Sequence, residues 1–281
     1  SQMLDLLASG ALPDIGSTLD MLTATLGLST DEIAKLIKTC PQVLGPSDVI
    51  LDRIDKLGDL LGLEGPAERK SELRKALLRF PNLLTLSFDA NVAPTFHALQ
   101  QTLDLSQREM GKVVVKHPQV LSLSFEGNAL ATLHVLNEEL GRPSVSEVAN
   151  VVSRFPQVLG LSAEANLRPT LQFLAEAFEL SPAELHAAVD REPIVLGTSL
   201  ERSLRPNLEL WKEALPSNYD LGALVRDKGL RWLTCSAEKR TAPRIERVLA
   251  AGLDPLALLA KMRYTDNQFD DWLRREASPA S

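Results

Sequence analysis

The chain has 281 residues, 30 of them basic and 37 acidic, which gives a net charge of −7 at pH 7 and a mean hydropathy of −0.03. No apolar run reaches the ~18 residues of a membrane span, so we expect no membrane association. Cys40 and Cys235 lie far apart without a CxxC pair, which excludes a disulfide framework or zinc knuckle and predicts two buried thiols. Taken alone, the acidic balance weighs against a polyanionic partner.

A short proline phrase recurs along the chain and defines its organisation. Its clearest copy reads Phe155-Pro156-Gln157-Val158-Leu159 and ends in Ser162. Other copies place proline at positions 41, 81, 118 and 193, and a sixth copy has Leu230 there; the successive spacings are 40, 37, 38, 37 and 37 residues. A fixed period in this range is typical of stacked helical repeats, in which each unit buries its apolar face against its neighbours.

Each repeat is predicted to contain a long helix, a shorter helix and a brief helical turn. In the copy over 162–196, Ser162 caps a first helix whose apolar residues recur at spacings of three and four. Ser181, with Pro182 next and Glu184 three residues on, forms a capping box for the second helix. Pro193 ends that helix and opens the turn.

The same pattern predicts an all-α helical-repeat solenoid of three-helix repeats. The repeats are expected over about 9–45, 47–84, 87–121, 124–159, 162–196 and 199–233, followed by a C-terminal cap over 236–275. We therefore expect a single domain over 1–275 and a frayed tail over 276–281.

The phrase Pro-x-(Val/Leu)-Leu followed by Leu-x-x-Ser resembles the repeat of the mitochondrial transcription termination factor (mTERF) family. The blocks Thr241-Ala242-Pro243-Arg244, Ala251-Gly252-Leu253 and Tyr264-Thr265-Asp266-Asn267-Gln268-Phe269 look like the family's closing segment. The resemblance covers nearly the whole chain. It implies a superhelix with a concave basic groove, a mitochondrial or alternatively chloroplast location, and nucleic-acid binding. Some members act on double-stranded DNA to terminate or regulate transcription, and others act on ribosomal RNA or ribosome assembly.

A basic residue recurs two positions before the proline of successive phrases. The positions are Arg79, Lys116, Arg154 and Arg191, and Lys228 stands two before Leu230. Two interpretations stay open for this ladder. Each cation can satisfy the dipole at the end of its second helix, or the stacked cations can follow a phosphate backbone.

Further candidate phosphate ligands lie six residues after the capping serine and near the C-terminus. Arg168 and Arg205 form a second row, whose alternative is an ordinary solvated face. The segment 226–263 holds nine basic and four acidic residues, a net charge of +5 that includes Arg231, Arg240, Arg244 and Arg247. Trp232 is a candidate for stacking on an unpaired base, with core packing as the favoured alternative.

The chain carries no arrangement of residues typical of a catalytic centre. The four histidines lie in different repeats, without an HExxH motif, a nucleophile elbow or a glycine-rich phosphate loop. We therefore expect no enzyme, cofactor or metal. The preferred prediction is a monomeric protein that binds double-stranded DNA and regulates or terminates organellar transcription. The alternatives are binding to structured RNA of the organellar ribosome, or a scaffold whose acidic surface docks a protein partner.

Overall fold

The computed structural model describes residues 15–142 and 144–277, and within these ranges all regular structure is helical. Residues 9–14 of the predicted first repeat and residues 278–281 of the predicted tail lie outside this description. The last helix continues to Ala277, two residues into the segment predicted as tail. Among the described helices, none is both long and apolar enough to cross a membrane.

Two α-helices and a 3-10 turn form each repeat, as the period predicts. The first helices are α1 Ile15–Leu26, α3 Ser47–Leu60, α5 Ala93–Thr102, α7 Leu130–Glu139, α9 Arg168–Ala177 and α11 Arg205–Ala214. The second helices are α2 Thr30–Thr39, α4 Pro66–Arg79, α6 Gln107–Lys116, α8 Ala149–Arg154, α10 Pro182–Arg191 and α12 Leu221–Lys228. The turns at the phrase are Pro41–Leu44, Pro81–Leu84, Pro118–Ser122, Pro156–Gly160, Pro193–Gly197 and Arg231–Thr234, and a further 3-10 turn, Val145–Val148, precedes α8.

The C-terminal cap consists of α13 Ala242–Ala250, the 3-10 segment Pro255–Lys261 and α14 Asp266–Ala277. Phe269 and Trp272 are the buried residues of α14. Because the phrase no longer recurs here, the cap is held by other contacts, which centre on Arg244 and are described below.

Serines start the helices of both kinds. Ser181 Oγ accepts from the amide of Glu184, and the Glu184 carboxylate accepts from the amide of Ser181 at 2.8 Å, which confirms the predicted capping box. Ser162 Oγ accepts from the amide of Ala165 at 3.1 Å. The turn that follows this serine is π-helical, which is wider than the α-helical turn expected from the sequence. Turns of this kind are found at Phe88–Val92, Phe125–Ala129, Ala163–Leu167, Leu200–Leu204 and Ala237–Thr241.

The contacts divide the described residues into two compact units, one made of 15–134 with 144–160 and the other of 135–142 with 161–277. In the first unit, α4 packs on α6 and α6 packs on α8, while the turns at prolines 81, 118 and 156 contact one another in succession. In the second unit, α10 packs on α12, and the turn Pro193–Gly197 contacts Arg231–Thr234. A single domain over 1–275 stays a prediction.

An aromatic cluster forms the core of the second unit. Trp232 is 2% exposed and donates its indole N–H to the Gly229 carbonyl at 2.8 Å. Its ring meets those of Phe178 and Trp211 edge to face, with ring centroids 5.8 and 5.6 Å apart. Trp232 is therefore a core residue, the alternative that its position in the phrase favoured.

Candidate nucleic-acid interface

The ladder residue Arg79 binds the end of the next second helix in the first unit. Its Nη1 donates to the carbonyl oxygens of Val115 at 2.7 Å and Lys116 at 3.3 Å. These carbonyls belong to the last turn of α6, where no intrahelical donor remains for them. The Arg79 guanidinium thus caps the neighbouring repeat.

Lys116 and Arg191 make the same kind of contact, each with the end of the second helix of the following repeat. Lys116 Nζ donates to the carbonyls of Arg154 and, at 3.3 Å, Ser153. Burial lowers the pKa of Lys116, and the nearby Arg154 adds to the effect. In the second unit, Arg191 Nη1 donates to the carbonyls of Asp227 at 2.9 Å and Arg226 at 3.3 Å. We call these three contacts the inter-repeat caps.

The inter-repeat caps explain why the ladder consists of cations. Each of these long cationic side chains reaches across to the negative end of the next repeat's second helix, whereas the dipole interpretation placed each cation at the end of its own helix. The two remaining ladder residues also interact within the protein: Lys228 pairs with Asp227 at 2.9 Å, and Arg154 is likewise not free. Arg79, Lys116 and Arg191 therefore have a structural role independent of any ligand.

Carboxylates engage the second candidate row. Arg168 binds Glu164 and Glu138, each at 3.0 Å, and also Glu139. The hydrogen bond with Glu164 is the leading reason why the pKa of Arg168 is raised. Arg205 binds Glu201 at 3.1 Å and stacks over the Phe173 ring. Arg168, with three carboxylates around it, is the less suited of the two to hold a phosphate.

Arg244 is a buried structural residue of the C-terminal cap. Its side chain is 4% exposed, and its guanidinium donates to the carbonyls of Lys261, Met262 and Tyr264 at 3.1, 3.1 and 2.7 Å. It also binds Asp266 at 2.9 Å and lies 4.7 Å from the centroid of the Phe269 ring. These contacts weigh against the predicted phosphate contact, because they direct its donors into the protein.

Arg247 and Arg231 are more accessible. The Arg247 guanidinium also lies over the Phe269 ring, with its Cζ 5.0 Å from the ring centroid, and pairs with Asp270 at 2.7 Å. Arg231 is 55% exposed and donates its Nε–H to Glu192, whose side chain is only 9% exposed, at 2.9 Å.

Arg240 is the one predicted site residue whose side chain has no partner among the residues that the structure describes. The exposed cations Lys239, beside it, and Arg202 are likewise unpaired within the described part of the chain. Sequence reasoning missed Arg202 and counted Lys239 only as one of the nine basic residues of 226–263. Both stand three residues after a capping serine and lie in the π-helical turns before α11 and α13. Helix α11 contacts the turn that carries Lys239 and Arg240, so successive repeats bring these cations to neighbouring helix starts.

A groove of about 420 Å³ lies between α4 and α6 in the first unit. Its lining includes the apolar residues Leu61 and Val115. The lining also has five basic residues and two acidic ones, Lys75, Arg79, Arg108, Lys112, Lys116, Glu68 and Glu72. Ion pairs join Arg108 to Glu68 and Lys75 to Glu72, and the inter-repeat caps engage two more cations, so this groove offers little uncommitted charge.

The stacked repeats of two helices and a turn define a helical-repeat protein. The family model described as mTERF matches residues 60–219, more than half of the chain, and the chain belongs to the mTERF family. This confirms the resemblance noted in the repeat phrase and the all-α repeat fold. The family consists of organellar nucleic-acid-binding proteins. A search of curated proteins finds no match for this chain. Among the described residues, no group of three or more His, Cys, Asp or Glu side chains is placed to hold a metal ion.

Proposed function

We propose that this protein binds double-stranded DNA in mitochondria and regulates or terminates transcription as a roadblock on the duplex. The observation that carries the proposal is the group Arg202, Lys239 and Arg240. Unlike the ladder, these cations have no carboxylate or carbonyl partner in the described chain and need not break an internal contact to bind a phosphate. We call them the helix-start cations.

The surroundings of the helix-start cations favour an anion. They lie in the π-helical turns that lead into α11 and α13, at the ends of these helical segments where the helix dipole is positive. The acidic residues of the same two turns are Glu201, which pairs with Arg205, and Glu238. Contacts of this kind bind the backbone of any sequence, which suits a protein that positions itself on a duplex before base-specific contacts form.

Binding to duplex DNA, duplex RNA and single strands across a salt series tests this proposal. With about three to five phosphate contacts, the slope of log K against log salt for duplex DNA should be roughly −3 to −4.5. Preference for the RNA duplex would support a role on organellar ribosomal RNA instead. No binding of any nucleic acid at low salt would refute the proposal and favour a scaffold that docks a protein on its acidic surface.

A charge-matched pair of variants tests the site. Lys239→Ala/Arg240→Ala should reduce the magnitude of the salt slope by about 2, because two counterion-releasing contacts are lost. The control Arg274→Ala/Arg275→Ala removes the same charge from α14, where Arg274 pairs with Asp271 at 2.6 Å. Equal losses in both variants would mean that only net charge matters, and the site assignment would be wrong.

A further inference from the structure

We infer that Glu192 is a positioning residue that holds Arg231 and Arg263 as a paired clamp for one phosphate group. The inference deepens the proposed function and rests on it, since the phosphate in question is one of a nucleic-acid backbone. The three residues lie in the second unit and come from the end of α10, the turn Arg231–Thr234 and the C-terminal cap.

The geometry is that of one buried carboxylate shared by two arginines. Glu192 Oε2 accepts from Arg231 Nε at 2.9 Å, and Glu192 Oε1 accepts from Arg263 Nη2 at 3.2 Å. The carboxylate side chain is 9% exposed, whereas the side chains of Arg231 and Arg263 are 55% and 48% exposed. Both guanidinium groups are therefore anchored from the inside and reach the surface.

Each guanidinium keeps most of its donors. An arginine carries five N–H donors, and each of these two uses one of them on Glu192. In the part of the chain that the structure describes, neither guanidinium has a further hydrogen-bond acceptor. Two planar donor groups fixed on one carboxylate suit the tetrahedral oxygens of a phosphate, which arginine binds in a bidentate manner.

The charges of Glu192, Arg231 and Arg263 favour an anion clamp over a simple ion-pair link between α10 and the C-terminal cap. One arginine would neutralise Glu192, but two leave the cluster with a net charge of +1 and hold two like charges together. A bound anion would remove that repulsion. The other copies of the phrase have Cys40, Phe80, His117, Phe155 and Gly229 at the position of Glu192, so the repeat itself does not require a carboxylate there.

The first experiment uses inorganic phosphate and needs no nucleic acid. The arginine Nε–Hε NMR signals of Arg231 and Arg263, assigned with Arg231→Lys and Arg263→Lys, should shift saturably with phosphate and not with chloride at equal ionic strength. In Glu192→Gln, the phosphate affinity should fall about tenfold, as for the loss of a residue that orients a ligand's direct contacts. No phosphate-specific shift in the wild-type protein would overturn the clamp.

The second experiment uses duplex DNA and separates positioning from net charge. Neutralising an acidic residue should tighten binding to a polyanion if only charge matters. The matched variant Glu201→Gln, which releases Arg205, should follow that rule. The clamp predicts the opposite for Glu192→Gln, a loss of affinity of about tenfold. In the Arg231→Ala/Arg263→Ala background, where no arginine is left to position, Glu192→Gln should cause no loss of affinity. Tighter binding by Glu192→Gln would refute the inference.

A conservative variant covers the case in which Glu192→Gln fails to fold. Arg263→Lys keeps the charge but removes the planar fork, so it should weaken phosphate binding, whereas the control Arg274→Lys should not. Equal phosphate binding by both would overturn the clamp. Phosphate binding without duplex binding would refute the proposed function but not the clamp. Duplex binding without the phosphate-specific shift would refute the clamp but not the proposed function.

Discussion

The inter-repeat cap made by Arg191 provides a direct test of what the ladder does. In Arg191→Gln, the carbonyls of Arg226 and Asp227 lose a charged donor, and the side chain loses its packing against Gly229. Gly229 has φ +76°, and a Cβ there would lie 3.0 Å from Arg191 Cδ, so the arginine stem occupies space that only glycine leaves open. Water can replace the donor because the contact is exposed.

The expected loss of unfolding free energy is therefore about 1–2 kcal/mol, below the value for two buried charge-assisted bonds. Urea unfolding followed by tryptophan fluorescence reports on the correct unit, since Trp211 and Trp232 form its core. The control is Lys228→Gln. The Lys228 ammonium pairs with the exposed Asp227 carboxylate, so this variant should change stability by less than about 0.5 kcal/mol. If Arg191→Gln left stability unchanged but reduced the salt slope for duplex DNA by about 1, the ladder would be a phosphate-binding row and the cap interpretation would be refuted.

Three further variants test the contacts that hold the repeats and the cap. Arg244→Lys should lower the free energy of unfolding by about 3 kcal/mol in urea, because lysine cannot donate to three carbonyls at once from a buried site. Hydrogen bonds from Ser181 lower the pKa of Glu184 from its ordinary value of 4.5. The Glu184 carboxylate therefore stabilises the fold above pH 4.5, and this stabilisation is lost as the pH falls through the lowered pKa. In Glu184→Gln, the free energy of unfolding measured between pH 7 and 3 should depend less on pH. Gly111→Ala should cost about 2 kcal/mol in thermal or urea unfolding, because its Cβ would lie 2.2 Å from the Leu61 carbonyl oxygen.

Two of these variants, Arg244→Lys and Gly111→Ala, have a matched control. Asp266→Asn removes the exposed partner of Arg244 and should cost much less than Arg244→Lys, since the Asp266 side chain is 90% exposed. Gly160→Ala adds a Cβ that meets nothing within 4 Å and should be nearly neutral. An equal loss in Gly111→Ala and Gly160→Ala would contradict the packing argument. An unchanged pH profile in Glu184→Gln would show that the capping box does not contribute to acid sensitivity.

The repeat architecture was predictable because its determinants are local and periodic. The proline that recurs every 37 to 40 residues ends the second helix of its repeat, and serines cap helices through the amides that follow them. The π-helical form of the first turn was not predictable, because one serine oxygen can satisfy the same amide in an α-helical or a π-helical turn. The pairing in the C-terminal cap, such as Arg244 with the carbonyls around residue 262, depends on contacts between segments that share no repeat pattern.

The candidate site was harder to predict because counting cations does not reveal their partners. The ladder was visible as a row of positions, but the carbonyls that Arg79, Lys116 and Arg191 cap belong to another repeat. Arg168 is separated from two of its carboxylate partners, Glu138 and Glu139, by about thirty residues. A signal for the helix-start cations did exist, since Arg202 and Lys239 occupy the same place after their serines, but it occurs only in the last two copies and is too short to stand out as a row.

These pairings also explain how an acidic chain can serve a nucleic-acid-binding function. The net charge is −7, but many carboxylates already pair with cations, as around Arg168. Neither the carboxylates nor the cations of these pairs are fully available to a ligand. A phosphate is attracted mainly by nearby cations that have no partner within the protein. Charges further away than about 8–10 Å contribute little, because salt screens them. In the second unit the uncommitted charge comprises the helix-start cations and the surplus at Glu192. A small set of contacts implies modest affinity that ordinary salt weakens, so stable binding at physiological salt would require base contacts or a partner in addition to the phosphates.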